Sequence, residues 1–477
     1  MNPFHSGPPK IDWNLLRGLA MPSAVKIPTA NDCFVTKLNP QVMSEVELRR
    51  LAKSIARNDQ VFRNDVLPIS GGRSLYFVPN GSEFHFILEG MDACKVKGAR
   101  LCQRGQNTIK VERPNPLKRY GEFAYRPDHL KIHPDLKAER IPHAASYLGS
   151  IDYPHAEREF KIASRLASHA KQIAFPGLFC AKLKENSSVI KNAGGEETAM
   201  VALGFNSSMI DLVDYIPWVI PFEAQAANAK VNEQTEVRDD LNQCWIRHVE
   251  GAPIISSIKE LNDRMEATHN EVGDLKRSMY LDCLVARHVF HRGNAFIDPA
   301  TQKIKMADFD SCVILDPDDR STWGTQLLRD VFMDSVRVLL DGIHSTNINN
   351  SAYFHDAINV CLAPFLKSLF QKSDPSLLGS NFTSALEHDY FQSTESFKGY
   401  KLGISKSATH TQTATAVAAL SLSGELLRTL FKLIQHDRDF QDAGFRLPSL
   451  DEGTLEKRFE AINLAVFNSY IGPRSRR

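Results

Sequence analysis

The spacing of apolar positions changes several times along the chain. Between Ser44 and Asn58, Val46, Leu48, Leu51 and Ile55 recur at helical intervals. Ser44 stands where an N-cap belongs, and Glu45 and Glu47 follow in the first turn. From Leu75 to Lys110 the apolar runs shorten to SLYFVPNG, FHFILEG and NTIKVERP, which read as strands with turns at PNG and EGM. Glu122 to Tyr125 reads as a further strand. Helical spacing returns over 154–170. Ala156, Phe160, Ala163, Leu166 and Ala167 share a face there, and Glu157 and Glu159 are placed in the first turn. The run MVALGFNSSMIDLVDYIPWVIPFEA is apolar but broken by Gly, Asn and two prolines. The polar stretch 225–243 reads as a loop or exposed helix, and 260–288 as a helix. Further helices are expected at 327–341, 352–371, 416–436 and 454–469, with a Ser/Thr/Ala-rich linker at 405–415.

One hairpin interrupts the helical half. Leu281, Leu284 and Val285 end an apolar helix face, and His288 to Asn294 form a short polar loop. Ala295–Ile297 and Ile304–Ala307 are strands joined by a turn over Asp298–Gln302, and Asp308 follows the second strand. An Asn carbonyl and an Asp carboxylate at the two ends of a tight hairpin can converge on one hard cation. Mg²⁺ takes oxygen ligands and shares them with phosphate. Asn294 and Asp308 are therefore the candidate metal ligands.

This stretch resembles the kinase-like superfamily, and most closely its atypical branches of phosphatidylinositol-kinase-like enzymes, secreted-pathway kinases and bacterial toxin kinases. His291, Arg292, Gly293 and Asn294 match the H-x-x-N part of their D-x-H-x-x-N loop, and Ala307 to Asp310 match the DFG region. The resemblance implies that Asn294 and Asp308 hold Mg²⁺ beside ATP. Val289 stands where the family has its catalytic Asp, and valine accepts no proton. His288, His291, Asp310 and Asp298 are nearby substitutes, and spacing prefers none of them.

Other elements match in order. Tyr125-Arg126-Pro127 resembles a Y-K-P element and makes Arg126 the phosphate contact, with Lys131 as the alternative. Glu159, or else Glu157, is the helix glutamate that should orient it. Leu212 to Pro217, with Asp214, resembles the segment that contacts adenine, and GARLCQRG at 98–105 is the nearest counterpart of a glycine-rich loop. The AVKI sequence at 24–27 lies too far ahead of Asn294 for Lys26 to serve. The fold implied is α+β: a kinase-like two-lobed fold with a mixed N-terminal region and a mainly helical C-terminal lobe. Its expected divisions are an N-terminal region (1–115), an N-lobe (116–220), a C-lobe (221–400) and a helical extension (401–477).

Composition narrows the class. The 477 residues are 43% hydrophobic and 24% charged, an ordinary globular mixture. A net charge of +1 argues against nucleic acid as the main partner. No two of the eight cysteines form a CxxC pair, which fits reduced thiols. No secretory signal or run of about 18 apolar residues is visible. These features suit a cytoplasmic chain, or one exported without a cleaved signal into a host cell as a bacterial effector. The expected activity is an ATP- and Mg²⁺-dependent kinase-like transferase acting on a protein or lipid. The alternatives are a non-catalytic pseudokinase that binds a regulatory partner, and a pseudokinase that transfers AMP or activates a carboxylate for ligation.

Overall fold

The computed structural model describes residues 29–59, 74–79, 84–88, 90–102, 130–140, 150–191, 195–216, 218–221, 235–239, 244–248, 255–288, 290, 292–344, 357–388 and 423–471. The fold is α+β, with antiparallel sheets and a helical C-terminal half.

The principal sheet has seven strands. β1 (Asp32–Leu38), β7 (Gly177–Glu185), β9 (Thr198–Phe205), β3 (Ala93–Lys97) and β2 (Ser74–Phe77) lie side by side in that order. β6 (Ile151–Asp152) pairs with β9, and β8 (Ser188–Val189) with β7. Side chains alternate across a strand, so the sheet buries both faces. Leu75, Cys94, Val96, Met200 and Ala202 pack against Leu48, Leu51 and Ile55 of helix α1 (Glu45–Arg57). Tyr76, Ala93, Val201, Leu203 and Phe205 point the other way, into a core shared with helix α2 (Tyr153–Ala167) and the C-terminal half.

This sheet crosses the expected boundary at residue 115. β1, β2 and β3 precede it and β7 and β9 follow it, yet they form one hydrogen-bonded unit. The reason is register: Lys97 pairs with Val201 and Ala93 with Phe205, so strands distant in the chain complete each other's ladders.

α1 begins as its sequence suggests. Ser44 accepts a hydrogen bond from the Glu47 amide, and Asn58 closes the helix in the left-handed conformation. Val46, expected on the buried face, is 77% exposed. It lies only two residues from Leu48, on the far side of the helix. FHFIL at 84–88 is not a strand; the Ile87 amide donates to the Val42 carbonyl at 2.7 Å and the His85 amide to the Glu47 carboxylate at 3.1 Å. α2 starts at Tyr153, so Glu157 and Glu159 sit in its second turn, not its first. Residues 235–239, read as loop or exposed helix, form strand β12 (Thr235–Asp239), paired to β13 (Cys244–His248), which also pairs with β11 (Trp218–Pro221). β4 (Leu130–Ile132) and β5 (Ala138–Arg140) make a separate hairpin. The strands expected at 107–114 and 122–125 and the linker at 405–415 lie outside the described residues.

The helical half holds α3 (Ile258–Leu281), α4 (Trp323–His344), α5 (Ala363–Leu369), α6 (Ser423–His436), α7 (Arg438–Ala443) and α8 (Glu452–Ile471). α3 stops at Leu281, seven residues short of the expected end, because the chain turns there through left-handed Leu284 and Arg287. The described part of 352–371 contains a π-helical turn (Ile358–Leu362) before α5. No described helix is long and apolar enough to cross a membrane. Seven of the cysteines are buried thiols; the side chain of Cys244 lies outside the described residues.

Candidate functional site

Two nested hairpins build the site. The outer one pairs β14 (Val285–Ala286) with β17 (Val313–Ile314). The inner one pairs β15 (Ala295–Ile297) with β16 (Ile304–Met306), in the register Ala295–Met306 and Ile297–Ile304. The inner pair and its turn fall within one residue of the positions expected from alternation and from the Asp298-Pro299 turn. Asp298 fixes that turn by accepting from the Ala300 amide at 2.9 Å and the Thr301 hydroxyl at 2.8 Å. Nesting brings His288 and Asn294 alongside Ala307. The Ala307 amide donates to the Asn294 carbonyl at 2.8 Å, so Asn294 and Asp308 lie at one end of the hairpin, as the sequence suggests.

The sheet delivers a lysine to that end. Lys97, the last residue of β3, puts its ammonium 2.6 Å from Glu159 of α2, in contact with Asp308, and 3.3 Å from Asp310. Both Lys97 and Glu159 are buried, at 7% and 2% exposure. Burial raises the Glu159 carboxyl above its ordinary range, and Asp310 and Asp308 push the same way, while Lys97 opposes them. One ammonium faces three carboxylates, so the cluster carries excess negative charge.

Carboxylate oxygens of Glu159, Asp308 and Asp310 lie within 4.8 Å of one another. A divalent cation relieves an anionic excess of this kind, and an all-oxygen donor set suits Mg²⁺. Asp308 has a φ of 68°, a left-handed value that few residues adopt and that Asp tolerates better than most. Such conformations concentrate at functional sites.

α4 anchors the loop from below. Asp330 accepts from the Arg287 amide, and Asp334, one turn later, from the Phe290 amide, each at 2.6 Å. Lys276 of α3 lies 2.8 Å from Asp334 and also donates to the His288 carbonyl. All three charged side chains are buried. Burial pushes the Asp334 carboxyl above its ordinary range, against the pull of Lys276. α2 adds Arg158, which donates to the Asp310 carbonyl at 3.0 Å, and Arg165, which donates to the Cys283 carbonyl at 2.6 Å.

The residues expected from sequence divide as follows. Glu159, Asp308 and Asp310 converge, with Asn294 tied beside them. His288 is buried under Phe309, with ring centroids 5.1 Å apart, and its Nε2 lies 2.8 Å from the Ala307 carbonyl. A carbonyl only accepts, so Nε2 carries the proton; this histidine helps fix the loop. Lys131 lies on the β4–β5 hairpin, which packs on α4 and α8, and its side chain is outside the described residues. Arg126, Val289 and His291 are wholly outside them. Asp214 sits in a single helical turn (Leu212–Tyr215) after β10 (Ile210–Asp211); its side chain is not among those described.

Among the described residues, the lysine that pairs with Glu159 is Lys97. Of the stretch GARLCQRG, residues 98–102 are described. Gly98 is left-handed at φ +90°, where a Cβ would meet the Ala199 carbonyl at 2.3 Å, and Ala99–Cys102 form a 3₁₀ turn buried against α1. This described part ends the lysine strand, and Ala99, Leu101 and Cys102 pack into the core with α1.

No protein-family model matches the chain, and comparison with curated proteins finds no match.

Proposed function

We propose that the chain is a kinase-like, nucleotide-binding transferase that acts with ATP and Mg²⁺ on a protein or lipid substrate. The observation that carries this reading is the buried ion pair of Lys97 and Glu159, set against Asp308 and Asp310 beside Asn294. Phosphoryl transfer asks a protein mainly for positioning and charge neutralisation. In this reading Asp308, Asp310 and Asn294 would hold Mg²⁺, which neutralises charge on the phosphates. Lys97, kept in place by Glu159, would pair with phosphate oxygens. The two-lobed arrangement follows the same reading: the seven-stranded sheet and α2 supply Lys97 and Glu159, and the hairpin and α4 supply the metal side.

Val289 favours a second reading. With no carboxylate at that position, nothing there orients an acceptor hydroxyl, which suits a nucleotide-sensing module without transfer activity. Incubation with ATP labelled separately at the α- and γ-phosphate, with cell extract as acceptor, tests both readings. Transfer of γ-label by the parent and not by Lys97→Met supports a kinase. Transfer of α-label supports AMP transfer. Absence of either label, with nucleotide still bound, supports the sensing module.

A further inference from the structure

Lys97 is not the only lysine that β3 sends toward the hairpin. Lys95, two residues earlier on the same face, is 7% exposed, and its ammonium lies 4.6 Å from the centroid of the Phe296 ring. Among the described residues it has no ion-pair or hydrogen-bond partner; the ring is what it touches. Phe296 follows Asn294 by two positions in β15 and is itself 4% exposed. Phe205 and Phe175 pack edge-on to that ring, with centroids 5.3 Å and 5.6 Å away, and Tyr76 lies at 6.4 Å.

These contacts bear on how a nucleotide could sit. If its phosphates lie at Lys97 and Asp308, the base extends from them between sheet and hairpin. Lys95 is displaced from Lys97 by two strand residues, roughly 7 Å. The apolar ring beside it is Phe296, the natural surface for stacking. That surface is already covered by Lys95, and a flat base needs the same contact distance. Burial lowers the Lys95 ammonium's affinity for its proton, and neighbouring Lys97 lowers it further. The charge is thus held there at a cost, in a place where an apolar residue would pack without one.

We propose that Lys95 is a specificity-determining residue of this site: laid over Phe296, it occupies the stacking place of a base, so the site selects a magnesium-bound polyphosphate chain over the nucleoside attached to it. This rests on the reading of Lys97 and Asp308 as a phosphate and metal site, and it narrows the ligand class for that site. ATP is then held by its phosphates, with its base contributing little until Lys95 moves aside.

The test compares Mg-tripolyphosphate with MgATP by titration calorimetry on the full chain, in the parent, Lys95→Ala and Lys95→Met. The parent is expected to bind tripolyphosphate at least as tightly as ATP. Lys95→Ala clears the ring, and stacking should shift the affinity ratio toward ATP by about tenfold or more. Lys95→Met removes the charge but keeps most of the bulk, and should leave the ratio within about threefold of the parent. A ratio unchanged in Lys95→Ala, or shifted equally in both variants, overturns the role of Lys95 while leaving the phosphate site standing. Binding of neither ligand by any of the three proteins, each checked for a cooperative unfolding transition, overturns the phosphate site and this inference with it.

Discussion

Lys97 and Glu159 hold each other's charge in a place that water hardly reaches, and each is costly to leave alone. Removing one partner of a buried pair typically costs about 3–5 kcal/mol, because the remaining charge is uncompensated. Lys97→Met should therefore destabilise the protein by that order in urea unfolding. The loss should shrink as pH falls. Glu159 already has a raised carboxyl pKa from burial, and without Lys97 it rises further. A raised acid takes up its proton more readily folded than unfolded, so the deficit is full above the folded pKa and fades as pH drops toward the ordinary glutamate range. A deficit independent of pH between neutrality and mild acid would contradict this account of the pair. The oxygen-bearing members of the site were legible in the sequence because they are local: Asn294, Asp308 and Asp310 belong to one hairpin, and Glu159 to one helix. Lys97 was not. Its partnership depends on the register of β3 against β9, and the long stretch between β3 and α2 separates it from Glu159. The available signal was ACKVK followed by Gly98, a short strand with two lysines on one face.

At the scale of elements, α4 supports the loop that carries the chemistry. Its sequence TQLLRDVFMD sets Asp330 and Asp334 one turn apart on a stretch whose other buried residues are mostly apolar, Arg329 beside Asp330 excepted. Both carboxylates are aimed at backbone amides of the loop, and Lys276 offsets the charge of Asp334. Asp334→Ala should cost about 3–5 kcal/mol, since it leaves the buried Lys276 charge without its carboxylate. It should also speed hydrogen exchange at the Phe290 amide more than at the amides of β7. Replacing the pair together, as Lys276→Met with Asp334→Leu, should recover much of the stability but not the protection of that amide. Equal exchange at Phe290 in parent and double variant would show that the loop is held by packing alone. The helix itself was legible from its periodicity. The inward-facing aspartates were not singled out, because a polar residue on an apolar helix reveals its partner only when the loop above it is in place.

For the molecule as a whole, the sheet is what joins the N-terminal strands to the site. The sequence suggested a boundary near residue 115, since the stretch after Lys110 is rich in proline and charge. Strand pairing ignores such composition: β3 lies between β2 and β9, and its loss would expose the ladder of β9 and open the core that the sheet shares with α1. A chain of residues 116–477 should therefore lack a cooperative unfolding transition and bind no nucleotide. A cooperative transition in that fragment would restore the boundary. The α+β class was readable from the changing period of apolar positions, whereas the sheet order, set by contacts between distant segments, was not.

Calorimetric titration of ATP into the parent protein and Asp308→Asn, with Mg²⁺ and again with Mg²⁺ chelated, tests directly whether Asp308 and Lys97 share a metal-bound nucleotide. If Asp308 holds the metal and Lys97 the phosphates, the parent binds ATP with Mg²⁺ and at least tenfold more weakly without it, while Asp308→Asn binds weakly under both conditions and unfolds within a few degrees of the parent. No binding by the parent with Mg²⁺ present, or binding that is the same with and without the metal and in both proteins, would contradict it.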